Sequence, residues 1–273
     1  MADVTTNNRA GQDDIDASKA PLMDHLIELR QRLIYAIISV FAGFVLCFYF
    51  ANNLYTILVQ PYMWATHWVD PNADVKMIYT HPAEFFFTQL KLALFGATCL
   101  AFPNLAAQIW KFVAPGLYKD ERQAFFPYLI ATPLLFILGI LIVYFVVTPF
   151  MMYFFIKMQV SSADLKIELL PRVADYLSLI MTLILGFGIC FQLPVALALL
   201  ARAGFIDGTQ LRQFRRYAVV AIAAAAGVLS PPDPFSMLAM MLPTVLLYEG
   251  SILVVDRIAA NVRAKNEAAA AAE

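Results

Sequence analysis

Six apolar runs fix the fold class before any single residue is considered. A bilayer core about 30 Å thick is crossed by about 20 apolar residues in a helix, which satisfies its own backbone N–H and C=O groups without water. Uncharged runs of that order cover residues 33–51, 85–110 (interrupted by Lys91 near its start), part of 124–148, and 176–201. Pro149 is expected to end the third run, because proline breaks the helical hydrogen-bond ladder. The fifth run, 217–229, lies between Arg216 and Ser230-Pro-Pro-Asp-Pro234. At about 1.5 Å per residue it covers only ~20 Å. The sixth, 235–255, reaches full length only by including Glu249. The expectation is an all-α polytopic membrane protein with six spans, the fifth of them short.

Composition agrees with this and narrows the function classes. The chain is 61% hydrophobic and 14% charged, with a net charge of -1, against about 25% charged for a soluble domain. No general basic field points to nucleic acid, so any charge-based function must be local. Of the 19 Lys and Arg, only Lys76, Lys157, Lys166 and Arg172 fall on one side of the six-span arrangement, and Lys91 falls within the membrane. The remaining fourteen share the side of both termini, a bias that sets both termini inside. The chain therefore divides into a flexible polar N-tail (1–21), a single six-span domain (22–257) and a disordered C-tail (258–273). The loops at 52–84 and 149–175 are expected to carry short helices or caps. No internal repeat relates the two halves, which weighs against a transporter with an inverted-repeat core.

Four places could carry chemistry. In His25-Leu-Ile-Glu-Leu-Arg-Gln-Arg-Leu33, the leucines at 22, 26, 29 and 33 recur at helical spacing. They predict an amphipathic helix on the membrane surface before the first span. Glu28 within it either pairs with Arg32 at i,i+4, worth about 0.2–0.5 kcal/mol, or awaits a ligand. In Phe112-Val-Ala-Pro-Gly-Leu-Tyr-Lys-Asp-Glu-Arg122, Pro115-Gly116 is expected to break the chain and to leave Glu121 at the foot of the third span. A helix-dipole cap is the plain alternative for that acid. Gln192, before Pro194, is expected to bond across helices. Glu249 inside an apolar run is costly, about 2.5–3.5 kcal/mol at mid-membrane, and must lie near the interface, be protonated or face a wet concavity.

Other chemistries find little support. Cys47, Cys99 and Cys190 lie in apolar runs without metal or disulfide spacing and read as packing residues. His25, His67 and His81 are scattered, and neither a nucleophile elbow nor a phosphate loop is present. No cofactor is expected. A six-span solute or ion carrier with Lys91, Gln192 and Glu249 along its path is the alternative from another class. An intramembrane hydrolase lacks a nameable nucleophile.

Five segments, in order, resemble the signature stretches of the TatC family, the core receptor of the twin-arginine protein translocase. They are His25-Leu-Ile-Glu-Leu-Arg, the Phe112 to Arg122 stretch, Tyr144-Phe-Val-Val-Thr-Pro, Phe187-Gly-Ile-Cys-Phe-Gln-Leu-Pro-Val-Ala and Leu229-Ser-Pro-Pro-Asp-Pro. The resemblance implies a concave, glove-like shell of six helices with short fifth and sixth spans, and no enzymatic activity. It implies a receptor in the bacterial inner membrane for signal peptides carrying an arginine pair. Its implied partners are TatB-like and TatA-like single-span subunits and further copies of itself, with export driven by the proton-motive force. The family's two signal-binding carboxylates fall on Glu28 and Glu121, with Arg30, Phe112, Pro115, Leu117, Tyr118 and Arg122 as motif neighbours. Asp233 matches an acid of the outer turn, and Glu249 an acid found in many members. Gln192 departs from the glutamate that many members carry in the fourth span.

Overall fold

The computed structural model describes residues 5–117, 126–161, 166–167, 169–202, 204–230 and 234–270. Its elements in order are α1 (Thr5–Tyr49), α2 (Ala51–Val69), α3 (Glu84–Leu117), α4 (Phe126–Ile142), a π turn (Val143–Val147), α5 (Thr148–Lys157), β1 (Val160–Ser161), β2 (Lys166–Ile167), α6 (Val173–Cys190), α7 (Leu193–Arg202), α8 (Gly208–Leu229) and α9 (Pro234–Ala270). The two strands form one antiparallel ribbon, Val160 opposite Ile167. Five helical stretches are long and apolar enough to cross a membrane: Leu26–Tyr49, Glu84–Phe112, Pro127–Lys157, Val173–Arg202 and Ser236–Ala260. The remaining crossing, fifth in chain order, is α8, whose first half carries Arg212, Arg215 and Arg216.

Three expectations are corrected. The segment around Glu28 does not lie apart on the surface: α1 is continuous through it, and no proline or glycine interrupts residues 22–42 to bend it. Pro149 does not end the third span. Its ring removes the N–H that would reach Phe145, and the preceding π turn, in which Thr148 N–H donates to the Val143 carbonyl, absorbs the mismatch so that helix continues to Lys157. The break expected at Pro115-Gly116 does not interrupt α3, which reaches Leu117, because a proline near a helix end costs only one ladder bond. The fifth helix is also longer than its apolar run. It starts at Gly208, where the Asp207 side chain accepts from Gln210 N–H and Gln210 returns a bond to Asp207 N–H, a reciprocal capping box.

Small residues set the closest helix approaches. A Cβ on Gly43 of α1 would lie 3.2 Å from the Ala97 carbonyl of α3, and one on Gly96 would lie 3.1 Å from Cys47 Sγ. This is the close packing that membrane helices use in place of a hydrophobic driving force. Cys47 is buried in that seam. On the other side of α3, Phe102 stacks on Phe136 of α4 with ring centroids 3.6 Å apart. A Cβ on Gly188 would sit 2.3 Å from that buried Phe136 ring. The main core gathers Leu92 of α3, Val143, Met151 of α5, and Leu177, Ile180 and Phe187 of α6. A second cluster, Leu211, Ile222, Tyr248, Ile252 and Val255, joins α8 to α9.

At the end where α3 and α6 begin, α2 packs against α5 and α3. Pro61 lacks the N–H that would bond the Ile57 carbonyl, and Tyr144 Oη–H donates to that oxygen at 2.8 Å. Tyr176 Oη–H donates to Leu58 at 2.9 Å. Ile78 bonds Pro171 and Val173 through its N–H and carbonyl, stitching the two loops of that end together.

Candidate functional site

Because α1 enters the bundle where α3 leaves it, the first turns of one span meet the last turns of the other. Glu28, Gln31, Arg32 and Tyr35 of α1 line one cavity of about 310 Å³ with Gln108 and Lys111 of α3. Arg32 donates to a single Glu28 oxygen, Oε1, through Nε at 3.0 Å and through Nη2. The second oxygen, Oε2, accepts no hydrogen bond among the described residues. The carboxylate is one-third exposed and Arg32 somewhat less. Gln108 is held by Asn104, its Nε2–H donating to Asn104 Oδ1 at 3.2 Å. The cavity thus holds one acid with an open oxygen, two cations and three neutral polar groups. This polar niche at a membrane boundary can accept a donor-rich cation.

Arg30 is exposed and does not line this cavity. Phe112 is half-buried in α3, one residue beyond Lys111. Pro115 and Leu117 lie in the last turns of α3. Glu121, Tyr118, Arg122 and Asp233 lie outside the described residues. Lys111, Gln108, Gln31 and Tyr35 escaped the reading of sequence, although Lys111 and Gln108 stand on one side of a helix end that the topology sets beside α1.

The two intramembrane polar residues are separately tied. Gln192 sits at the break between α6 and α7, and its Nε2–H donates to the carbonyls of Thr132 (3.1 Å) and Gly188 (3.3 Å). Both partners are acceptors, so the amide orientation is fixed, and Oε1 is buried without a partner among the described residues. Thr132 also accepts from Trp110 Nε1–H at 3.1 Å, so this node joins three spans. Glu249 is paired with Arg215 of α8, beside a second pair, Arg212 with Asp256. Tyr248 Oη–H donates to Leu211 at 2.8 Å between them. A Cβ on Gly208 would collide with Asp256 Oδ1 at 1.8 Å, so only glycine lets that carboxylate reach over the start of α8. Lys91 stands 19 residues, about 28 Å of helix, from Trp110. Lys91 therefore stands apart from the Gln192 node, and Glu249 has its own partner in Arg215.

At the opposite end, Glu84 caps α3. Its Oε2 accepts from Thr80 N–H (2.9 Å), Thr80 Oγ1–H (3.1 Å), His81 N–H (3.4 Å) and Arg172 Nη2–H (3.1 Å). The Glu84 hydrogen bond and charge hold the Arg172 guanidinium above its ordinary range. Glu84 Oε1 and Arg172 Nε are buried without partners among the described residues.

The family model for the Sec-independent protein translocase protein TatC matches residues 24–243. A TatC from Magnetococcus marinus is 42% identical over 93% of this chain and 90% of its own length. TatC proteins from Aquifex aeolicus (85% of this chain, 93% of theirs) and Escherichia coli K12 (84% and 85%) are each 37% identical. A crystal structure of the twin-arginine translocase receptor TatC superposes with a TM-score of 0.74 at 35% identity, over 86% of this chain and 99% of that one. With the match running through all but the two ends of a multi-span helical chain, this protein belongs to the TatC family of Sec-independent protein translocase subunits.

Proposed function

We propose that this translocase subunit is the receptor for the arginine pair of signal peptides on folded precursor proteins, in the bacterial inner membrane with both termini cytoplasmic. The observation that carries this reading is the open Oε2 of Glu28 on a polar cavity at the boundary of the first two spans. A guanidinium is planar and permanently charged, and grips a carboxylate through parallel hydrogen bonds, so an arginine pair calls for two separated acids. Glu28 takes one arginine and Glu121 the other. Phe112, Pro115, Leu117 and Tyr118 flank the signal, and Arg30 and Arg122 set the local field.

Arg32 and Lys111, which share the cavity with Glu28, repel cations that bring no further binding energy. The signal's apolar core lies along the spans that carry Gln192 and Glu249. TatB-like and TatA-like single-span subunits and further copies of this chain complete the machine, and the proton-motive force drives export.

A photo-reactive residue beside the arginine pair of a signal peptide tests the assignment. Adducts on α1 and on the segment after α3 are expected, and they disappear in a Glu28→Ala, Glu121→Ala double variant. Unchanged adducts in that variant refute it.

A further inference from the structure

Lys91 is the one charged residue inside the second span that the receptor reading leaves unused. It is exposed and takes part in no ion pair or hydrogen bond among the described residues. The residues on its face of α3 are open as well, with Phe87 57%, Leu90 37% and Leu94 52% exposed. This face therefore meets lipid acyl chains, where an ammonium without a counter-charge is strongly disfavoured.

Two features set its depth. Residues 92–110 carry no charge, and nineteen residues of helix measure about 28 Å, one hydrocarbon thickness. Lys111 at the far end lines the Glu28 cavity, so Lys91 stands at the other boundary. Side chains on a helix also lean toward its N-terminus. In α3 that direction is the Glu84 end, so the four-carbon stem carries the ammonium outward into the headgroup layer.

Among the described residues the acids of that end are otherwise engaged, Asp70 by the Asn72 N–H at 3.0 Å. Glu84 is taken by Thr80, His81 and Arg172, Asp175 lies 3.7 Å from Arg172, and Asp74 lies 3.9 Å from Lys76. We propose that Lys91 binds the phosphodiester of a phospholipid in the leaflet at the Glu84 end, with an acyl chain lying along Phe87 and Leu94. Charge complementarity selects the occupant. An ammonium at the hydrocarbon boundary meets phosphate oxygens, and the apolar stripe below it suits a lipid tail. The bound lipid fixes the depth of α3 and, through the Gly43–Ala97 contact, that of α1.

The test uses the full chain with ¹⁵N-labelled lysine in vesicles of phosphatidylethanolamine and phosphatidylglycerol. Phosphorus dephasing of one lysine Nζ is expected, and the same signal is missing in Lys91→Gln. In Lys91→Arg labelled at arginine, the phosphorus contact reappears on an arginine nitrogen, so the assignment is tested even if the glutamine variant does not fold. Phospholipid retained by the purified protein in native mass spectrometry should fall about fivefold in Lys91→Gln. A wild-type Lys91 Nζ without a phosphorus contact overturns the proposal, as does one that contacts a carboxylate of a co-reconstituted single-span partner instead.

Discussion

Glu84 and the ion-paired acids at the other end of the bundle are handled in opposite ways, while Asp74 and Asp175 near Glu84 stay 87% and 70% exposed. At the Glu84 end the acid is 7% exposed, and one oxygen collects four donors from a turn of the chain and from Arg172. Paired loops and α2, bonded through Tyr144 and Tyr176, cover that end. At the Glu28 end the acids of the ion pairs are about one-third exposed: Glu28 33%, Glu249 35% and Asp256 36%. A carboxylate enclosed with its partners fixes geometry, since the enclosed charge has no water to fall back on. A carboxylate half in water can exchange one cation for another at little cost. On the receptor reading proposed above, the contrast makes Glu84 part of the scaffold and the Glu28 end the surface that trades partners.

The strongest way to break this contrast is Glu84→Ala. It removes all four bonds at once and leaves Arg172 without its main counter-charge. The melting temperature in detergent is expected to fall further than for any single ion-pair substitution at the Glu28 end. An equal or smaller fall than that of Arg215→Gln would mean that the two ends do not differ.

On the proposed receptor reading, Glu28→Gln is expected to act on function and not on the scaffold. Charge-assisted hydrogen bonds contribute about 1.5–3 kcal/mol, so affinity for a twin-arginine signal peptide should drop about tenfold or more, with part of the bond discounted for exposure. The melting curve should stay where it is. Arg32→Gln has a subtler effect, because Arg32 occupies Oε1 and adds like charge to any incoming cation. Its removal should shrink the preference for an arginine pair over a lysine pair by a factor of about three, read from competition binding with the two peptides.

Much of this was legible in the sequence, and the limits have physical causes. Counting uncharged residues found the six spans because the bilayer imposes a length. The bond of Gln192 to another helix was legible as a requirement, and so was the demand of Glu249 for compensation. Their partners, Thr132 and Arg215, were not, since nothing in local spacing encodes a neighbour 60 or 34 residues away. Glu249 and Asp256, two turns apart on one face of α9, were a signal that a cationic helix lay opposite. Glu84 and Arg172 both sit at the starts of spans that run in the same direction, which topology alone could have paired. The passage of the third span through Pro149 was hidden because a π turn depends on the backbone ladder and leaves no mark in hydropathy.

The smallest expected effect is also the sharpest test of exchangeability. Glu249→Gln keeps the helix propensity and volume of its site and removes only the charge facing Arg215. Both partners of that pair are more than one-third exposed, at 35% and 55%, so the loss in stability should stay below about 1 kcal/mol. High salt should erase most of it, because exposed pairs are screened. The measurement is denaturant unfolding of the variant and the parent at low and high ionic strength. If the variant loses more than about 2 kcal/mol and salt leaves the difference intact, the pair behaves as an enclosed strut. The α8–α9 side of the Glu28 end would then belong with the scaffold, and the exchangeable surface would shrink to the cavity between α1 and α3.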